Sequence, residues 1–307
     1  MNGLLSALVG AATGVLSGFG VGGGTLLLLW LTLVQDMGQL QAGGVNLLYF
    51  ICCALPALWG HLRRGLVEKQ AVRGCVRAGL PACAAGAFLA VADATGNNTY
   101  RVRAGRIIDH VIEWAAHNRW RIPEHFKSDW SLDLECNADK KDDQFKPYGA
   151  TPGHGIEWAR LIVQWALSSF ANRDGARPYI DAAEHLFARA VDDAWNADGA
   201  EGLVYTTDWN GTPVVTDRMH WTAAESLNTA ATLHAATGEA RYANWYATFA
   251  RYVDEHVIDH EGGSWFHQLD GDNRVIGTVW PGKSDLYHAF QSTLIPFLDP
   301  AVSIATA

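Results

Sequence analysis

Three stretches of this chain place a histidine where a helical pattern begins, and their spacing is nearly constant. His154 stands in TPGHGIEWARL (Thr151–Leu161), His220 in DRMHWTAAE (Asp217–Glu225) and His288 in DLYHAFQ (Asp285–Gln291), at intervals of 66 and 68 residues. A near-constant period of that length marks a repeated supersecondary unit. In the first stretch His154, Trp158, Leu161 and Trp165 share one helix face behind a Pro–Gly entry, the signature of a helix N-terminus.

The rest of each unit can be found as well. A Tyr-led amphipathic segment precedes each histidine helix, at Tyr100–His117, Tyr179–Trp195 and Tyr242–His256. Between the two helices lies an aromatic, strand-like piece that runs to Asp129–Trp130, Asp208–Asn210 or Asp270–Asp272, with Asn210–Gly211 a hairpin-turn signal. Each unit is predicted as outer helix, short β-hairpin, inner helix. Such hairpins, stacked with inner helices side by side, make a toroid with all three histidines at one mouth.

That placement suits proton transfer. The first turn of a helix presents unpaired N–H groups and partial positive charge. Moving a carbonyl between C1 and C2 of a sugar removes a proton from carbon and returns one through an enediol, and histidine can do either near neutral pH. Aromatic residues nearby offer flat faces to sugar C–H surfaces. No cofactor is needed. No metal is expected either, because one histidine per unit lacks zinc-ligand spacing. The charged loop Ser131–Pro147 lacks the Gly and the bidentate Glu of a calcium loop. A carbohydrate hydrolase on the same scaffold would need two opposed carboxylates, and no carboxylate recurs as the histidines do. His125 and His267, in the strand-like pieces, are candidates for the edge of the site. Glu225 either supports His220 or pairs with a neighbour, and Trp158 and Trp165 are either core or substrate platform.

The first ninety residues read differently. Residues 3–34 carry no charged side chain until the Gln35–Asp36 turn, and Gly43–Gly60 and Gly79–Val91 are further uncharged runs. The first run is long enough to span a bilayer at about 20 residues. The basic stretch His61–Arg77 would then face the cytoplasm. These features predict N-terminal transmembrane helices over 1–90, a multi-pass protein of the cell membrane, and a soluble part, 91–307, on the cytoplasmic side. The seam is expected near Gly86–Gly96, without a polar linker, so a fusion or composite of two truncated genes is an open reading. The formal charge of −9 argues against a nucleic-acid partner. The five cysteines form no CxxC pair and no disulfide framework.

Two resemblances bear on these readings. Gly14–Thr25 (GVLSGFGVGGGT) and Gly44–Gly65 (GVNLLYFICCALPALWGHLRRG) resemble part of the sulfite exporter (TauE/SafE) family, which implies transport of sulfur-containing or other small organic anions. Residues 91–307 resemble the N-acylglucosamine 2-epimerase superfamily, in its mannose and aldose–ketose isomerase branch. The stretches that carry this are RIPEHFKSDW (Arg121–Trp130), PYGATPGHGIEWARL (Pro147–Leu161), VYTTDWNG (Val204–Gly211), RMHWTAAE (Arg218–Glu225) and GKSDLYHAFQSTLIP (Gly282–Pro296). This second resemblance implies an all-α (α/α)6 toroid and a mannose-like substrate that is isomerised or epimerised at C2. It also implies an acid–base pair of His220 and His288, with His154 lining the sugar site. Glu157, Trp158, Trp221, Glu225 and Trp280 are the further candidates for sugar contact. Only about three of six hairpins fit between Val91 and Ala307. The chain is therefore expected to form a partial toroid and to be a poor isomerase alone, with a homodimer as one way of closing it.

Overall fold

The computed structural model describes residues 3–18, 23–37, 80–127, 129–143, 146–284 and 286–304, with Ala42, Val45 and Tyr49. The chain divides into two compact units, Met1–Gly74 and Cys75–Ala307.

In the first unit, helix α1 (Gly3–Gly18) is followed by α2 (Gly23–Leu29) and a π turn over Trp30–Val34. Leu27, Leu31 and Ala42 form a small buried cluster with Val9 and Tyr49 against it. The expectation of transmembrane helices finds no support among the described residues. Within the apolar run 3–34, α1 spans Gly3–Gly18, and its 16 residues rise about 24 Å, short of the roughly 30 Å of a bilayer core. Among the described residues no helix is long and apolar enough to cross a membrane. The multi-pass placement and the transporter resemblance therefore have no such helix to rest on. The run Gly43–Gly60 (apart from Val45 and Tyr49) and the basic stretch His61–Arg77 lie outside the described residues.

The second unit is a succession of helical hairpins. Its helices are α3 (Leu80–Thr95), α4 (Asn98–His117), α5 (Pro152–Ser169), α6 (Arg173–Ala194), α7 (His220–Thr237), α8 (Ala240–Tyr252) and α9 (Leu286–Leu294). A π turn over Val253–Val257 continues α8, and a 3-10 turn over Ile295–Phe297 follows α9. Helices α5, α7 and α9 pack side by side as the inner row, with α6 laid on α5 and α8 on α7. The inner α7 is buried almost all round, so that even Ser226, Asn228 and Thr229 are enclosed. The outer α6 and α8 bury one face: Phe187, Tyr242 and Phe249 meet edge to face, with ring centroids 5.6 and 6.3 Å from Phe187. On the outside, Glu184 of α6 accepts from the Tyr242 hydroxyl at 2.8 Å and pairs with Arg241 at 2.7 Å.

The expected hairpins are present in two units. Strand β1 (Thr206–Thr207) pairs antiparallel with β2 (Pro213–Val215) around the Asn210–Gly211 turn. Strand β3 (Arg218–Met219) pairs with β4 (Gln268–Leu269), which pairs with β5 (Val275–Ile276). In the repeat that carries His154 the piece is, among the described residues, one bridge, Phe126 to Leu132.

The run Gly79–Val91 also proves to be something other than a membrane segment. It forms most of α3, which continues unbroken through the expected seam and packs on α4 and α5. Ala85 and Leu89 are no more than 1 % exposed and share a core with Ile108 and Ile156. Its packed face is apolar and its outer face carries small or apolar residues such as Ala87 and Val91 in place of charged ones, so its composition imitates a transmembrane helix. The second unit accordingly begins before α3.

Candidate active site

The entry to α5 depends on two close approaches. Ala150 exchanges two hydrogen bonds with Thr207, its N–H donating at 2.9 Å and its carbonyl accepting at 3.0 Å. Gly149 holds φ +92° there, and a side chain would collide with the Thr207 carbonyl. At Gly153 a Cβ would press into the Trp221 ring and Thr222. Glycine thus lets Trp221, from the next inner helix, lie 4.8 Å from the His154 ring.

His154 sits in the first turn of α5, with Nδ1 2.7 Å from Glu124 Oε1. Burial pulls the imidazole pKa down, but the Glu124 carboxylate outweighs it and raises the pKa to about 9. Burial acts to raise the Glu124 carboxyl, but the His154 charge and hydrogen bond outweigh it, and its pKa is lowered. At neutral pH the pair is an imidazolium beside a carboxylate. One turn along α5, Glu157 is pushed up by burial and by the Glu225 carboxylate, against the pull of His154.

His220 begins α7 directly after β3. Its N–H donates to the His267 carbonyl at 3.2 Å, and the His267 ring lies 4.6 Å from its own, edge to face. Trp280 stacks on His267 at 5.7 Å. Gln268 fixes that arrangement. Its Oε1 accepts from the N–H groups of Val279 and Trp280 at 2.9 and 3.0 Å, while Nε2 donates to Asp217 at 2.6 Å.

A cleft of about 560 Å³ runs along the inner helices. His154, Glu157, Trp221, Tyr287 and His288 line it, with Arg160, Gln164 and Gln291 further along the helices and the small residues Gly86, Ala87 and Ala90 of α3 opposite. The Trp221 ring has His154 at 4.8 Å and His288 at 6.1 Å, and His220 lies 5.8 Å from His288. The three repeated histidines do converge.

The other expected residues separate by burial. Glu157 and Trp221 line the cleft. His220, at 2 % exposure, lies behind the cleft wall. Trp158 is core, at 3 %. Glu225 is fully buried and pairs with Arg160 across the inner helices at 2.8 Å. Trp280 meets the cluster at His267, on whose ring it stacks at 5.7 Å. His125 faces the Pro147 carbonyl at 3.4 Å. Sequence reasoning missed Glu124, Arg160, Tyr287 and Gln291. Arg160 and Gln164 continue the stripe from His154 and Glu157 at helical spacing, a signal that was available; Glu124 reaches His154 through a loop and left none. Among the described residues, Glu201, Glu255 and His256 are close enough to share a metal ion, but Arg251 pairs with both carboxylates.

Helical hairpins whose inner helices bring histidines to one cleft define an α/α-toroid fold with a site suited to acid–base chemistry. Residues 70–292 match the N-acylglucosamine 2-epimerase (GlcNAc 2-epimerase) family, and the chain belongs to that family. It is 44 % identical over 223 residues to D-mannose isomerases of Pseudomonas cannabina pv. alisalensis and Thermobifida fusca, covering 72 % of this chain and 54 % of each relative. A crystal structure of a D-mannose isomerase superposes with TM-score 0.63 at 29 % identity, over 69 % of this chain and 54 % of that one. Cellobiose 2-epimerase from Spirochaeta thermophila shares the fold, with TM-score 0.53 at 21 % identity over 69 % of this chain and 49 % of its own. The chain spans about half the length of the relatives it matches.

Proposed function

We propose that this chain carries part of the site of a sugar isomerase or epimerase acting on a mannose-like aldose through an enediol. The observation that carries this reading is that His154 and His288 line one cleft from helix N-termini, with ring centroids 4.8 and 6.1 Å from that of Trp221. In this reading His288 takes the proton from the carbon beside the carbonyl. The His154 imidazolium, held charged by Glu124, stabilises the oxyanion of the enediolate and donates to it. Trp221 supplies a flat face for the sugar's C–H surface. His220, expected from the sequence to be half of the acid–base pair, acts from behind the wall by positioning the His288 ring. A hydrolase is less well supported. Glu124 is committed to His154 and Glu225 to Arg160, and of the carboxylates that line the cleft among the described residues, Glu157 and Asp299, neither recurs with the repeat as the histidines do.

The test is exchange of the C2 proton of mannose in deuterated buffer, followed by NMR. His154→Ala and His288→Ala should each slow exchange by at least about 100-fold, the low end for positioned proton transfer. His220→Asn should reduce it by less. Exchange within about threefold of the native rate in the His288→Ala variant would sink the assignment.

A further inference from the structure

We propose that Gln268 is a positioning residue for the reaction, its side-chain amide holding in register the segments that carry His220 and His288. The proposal rests on the reading of those histidines given above and goes beyond it in naming what sets their spacing.

Gln268 is fully buried and stands on β4 next to His267, paired in register with Met219 of β3. A primary amide offers two donors and two acceptor lone pairs, and here all four are used. Nε2 donates to Asp217 Oδ2 at 2.6 Å and to Thr278 Oγ1 at 3.0 Å, while Oε1 accepts from the Val279 and Trp280 N–H groups at 2.9 and 3.0 Å. Two backbone donors fix which end of the amide is oxygen, because only the oxygen can accept.

The partners belong to the leaders of both histidine helices. Asp217 lies three residues before His220, which opens α7. Residues 277–282 connect β5 to the segment that enters α9, where His288 stands. The far end of that connection is tied by backbone, Ser284 N–H donating to the Trp265 carbonyl at 3.0 Å. At Val279 and Trp280 it is held by the Gln268 side chain. Beside Gln268, the His267 carbonyl accepts from the backbone N–H of His220 at 3.2 Å, and the His220 ring lies 5.8 Å from that of His288. One amide thus joins three segments whose relative placement sets the two imidazoles.

A buried polar network with every member satisfied holds a single arrangement, and a partly satisfied one releases it. Misplacing a reacting group by about 1 Å costs about 100-fold in rate. Gln268 is out of the sugar's reach, so its loss should lower the rate at saturation and spare the affinity.

The experiment is C2-proton exchange by the full chain in deuterated buffer, with D-mannose varied to separate kcat from KM. Gln268→Glu keeps the shape and the two bonds from the loop but cannot donate to Asp217. Its kcat should fall about 10- to 100-fold with KM within about twofold of native. Gln268→Glu/Asp217→Asn reverses the lost bond, since the asparagine amide donates where the aspartate accepted, and should recover kcat to within about threefold of native. Circular dichroism checks that each variant is folded. Should Gln268→Glu unfold, Thr278→Val is read in its place: one neutral bond fewer should lower kcat about 2- to 10-fold with KM unchanged. A native kcat in the single variant that is read, a KM that rises in step with the fall in kcat, or no recovery in the double variant would overturn the assignment and leave the sugar reading standing. Absence of exchange in the native chain would overturn both.

Discussion

Replacing Glu124 with glutamine keeps the shape of the pair at the cleft and removes its charge. In the native chain Nδ1 of His154 lies 2.7 Å from Glu124 Oε1, and the side chains are 36 % and 17 % exposed. The carboxylate holds the imidazole at about 9 against an ordinary value of 6.5. The folded pKa lies above the unfolded one, so the pair's contribution is full below about 6.5 and is lost as pH rises through about 9. On the acid side it is lost again as Glu124, whose pKa is lowered, takes up its proton. Hydrogen bonds to charged groups contribute about 1.5–3 kcal/mol. With the imidazole more than a third exposed, solvent screening reduces this to about 1 kcal/mol. Glu124→Gln should therefore lose about 1 kcal/mol in urea unfolding at neutral pH and much less at about pH 10. The His154 imidazole, followed by NMR, should titrate far below its native value of about 9, since burial is then opposed by the more distant Glu157 charge in place of the Glu124 carboxylate. If catalysis uses the imidazolium, the alkaline limb of C2 exchange should move down with it. A His154 that still titrates near 9 in the variant, or a stability gap that does not change with pH, would refute the reasoning.

Two further outcomes are expected. Arg160→Met leaves Glu225 charged, fully buried and unpaired, and should cost about 3–5 kcal/mol in denaturant unfolding, most of it recovered in Arg160→Met/Glu225→Leu. Phe290 and Phe297, 59 % and 84 % exposed, leave an apolar edge where α9 ends the inner row, so the chain should self-associate at micromolar concentration. Sedimentation velocity should show Phe290→Ser/Phe297→Ser to be monomeric under the same conditions, and a monomeric native chain would remove the case for a homodimer.

The period of the histidines was enough to place the helices α4 to α9 and two of the three expected hairpins, because a repeated unit writes its core face, its turn residues and its cap at fixed offsets. It was also enough to bring three histidines together, since parallel inner helices carry equivalent positions to one end. Burial was not legible. His154, His220 and His288 look equivalent in the chain, yet only packing puts His220 behind the wall and leaves His154 and His288 on the cleft. Long-range pairs were hidden for a related reason: Glu124 with His154 and Arg160 with Glu225 join residues 30 and 65 apart, and nothing local distinguishes a carboxylate that will meet a cation from one that will meet water. The same limit explains the misreading of α3. An apolar run reports that a helix has an apolar face to bury, and only the tertiary structure decides whether that face meets lipid or the rest of the protein, as Ala85 and Leu89 of α3 meet Ile108 and Ile156.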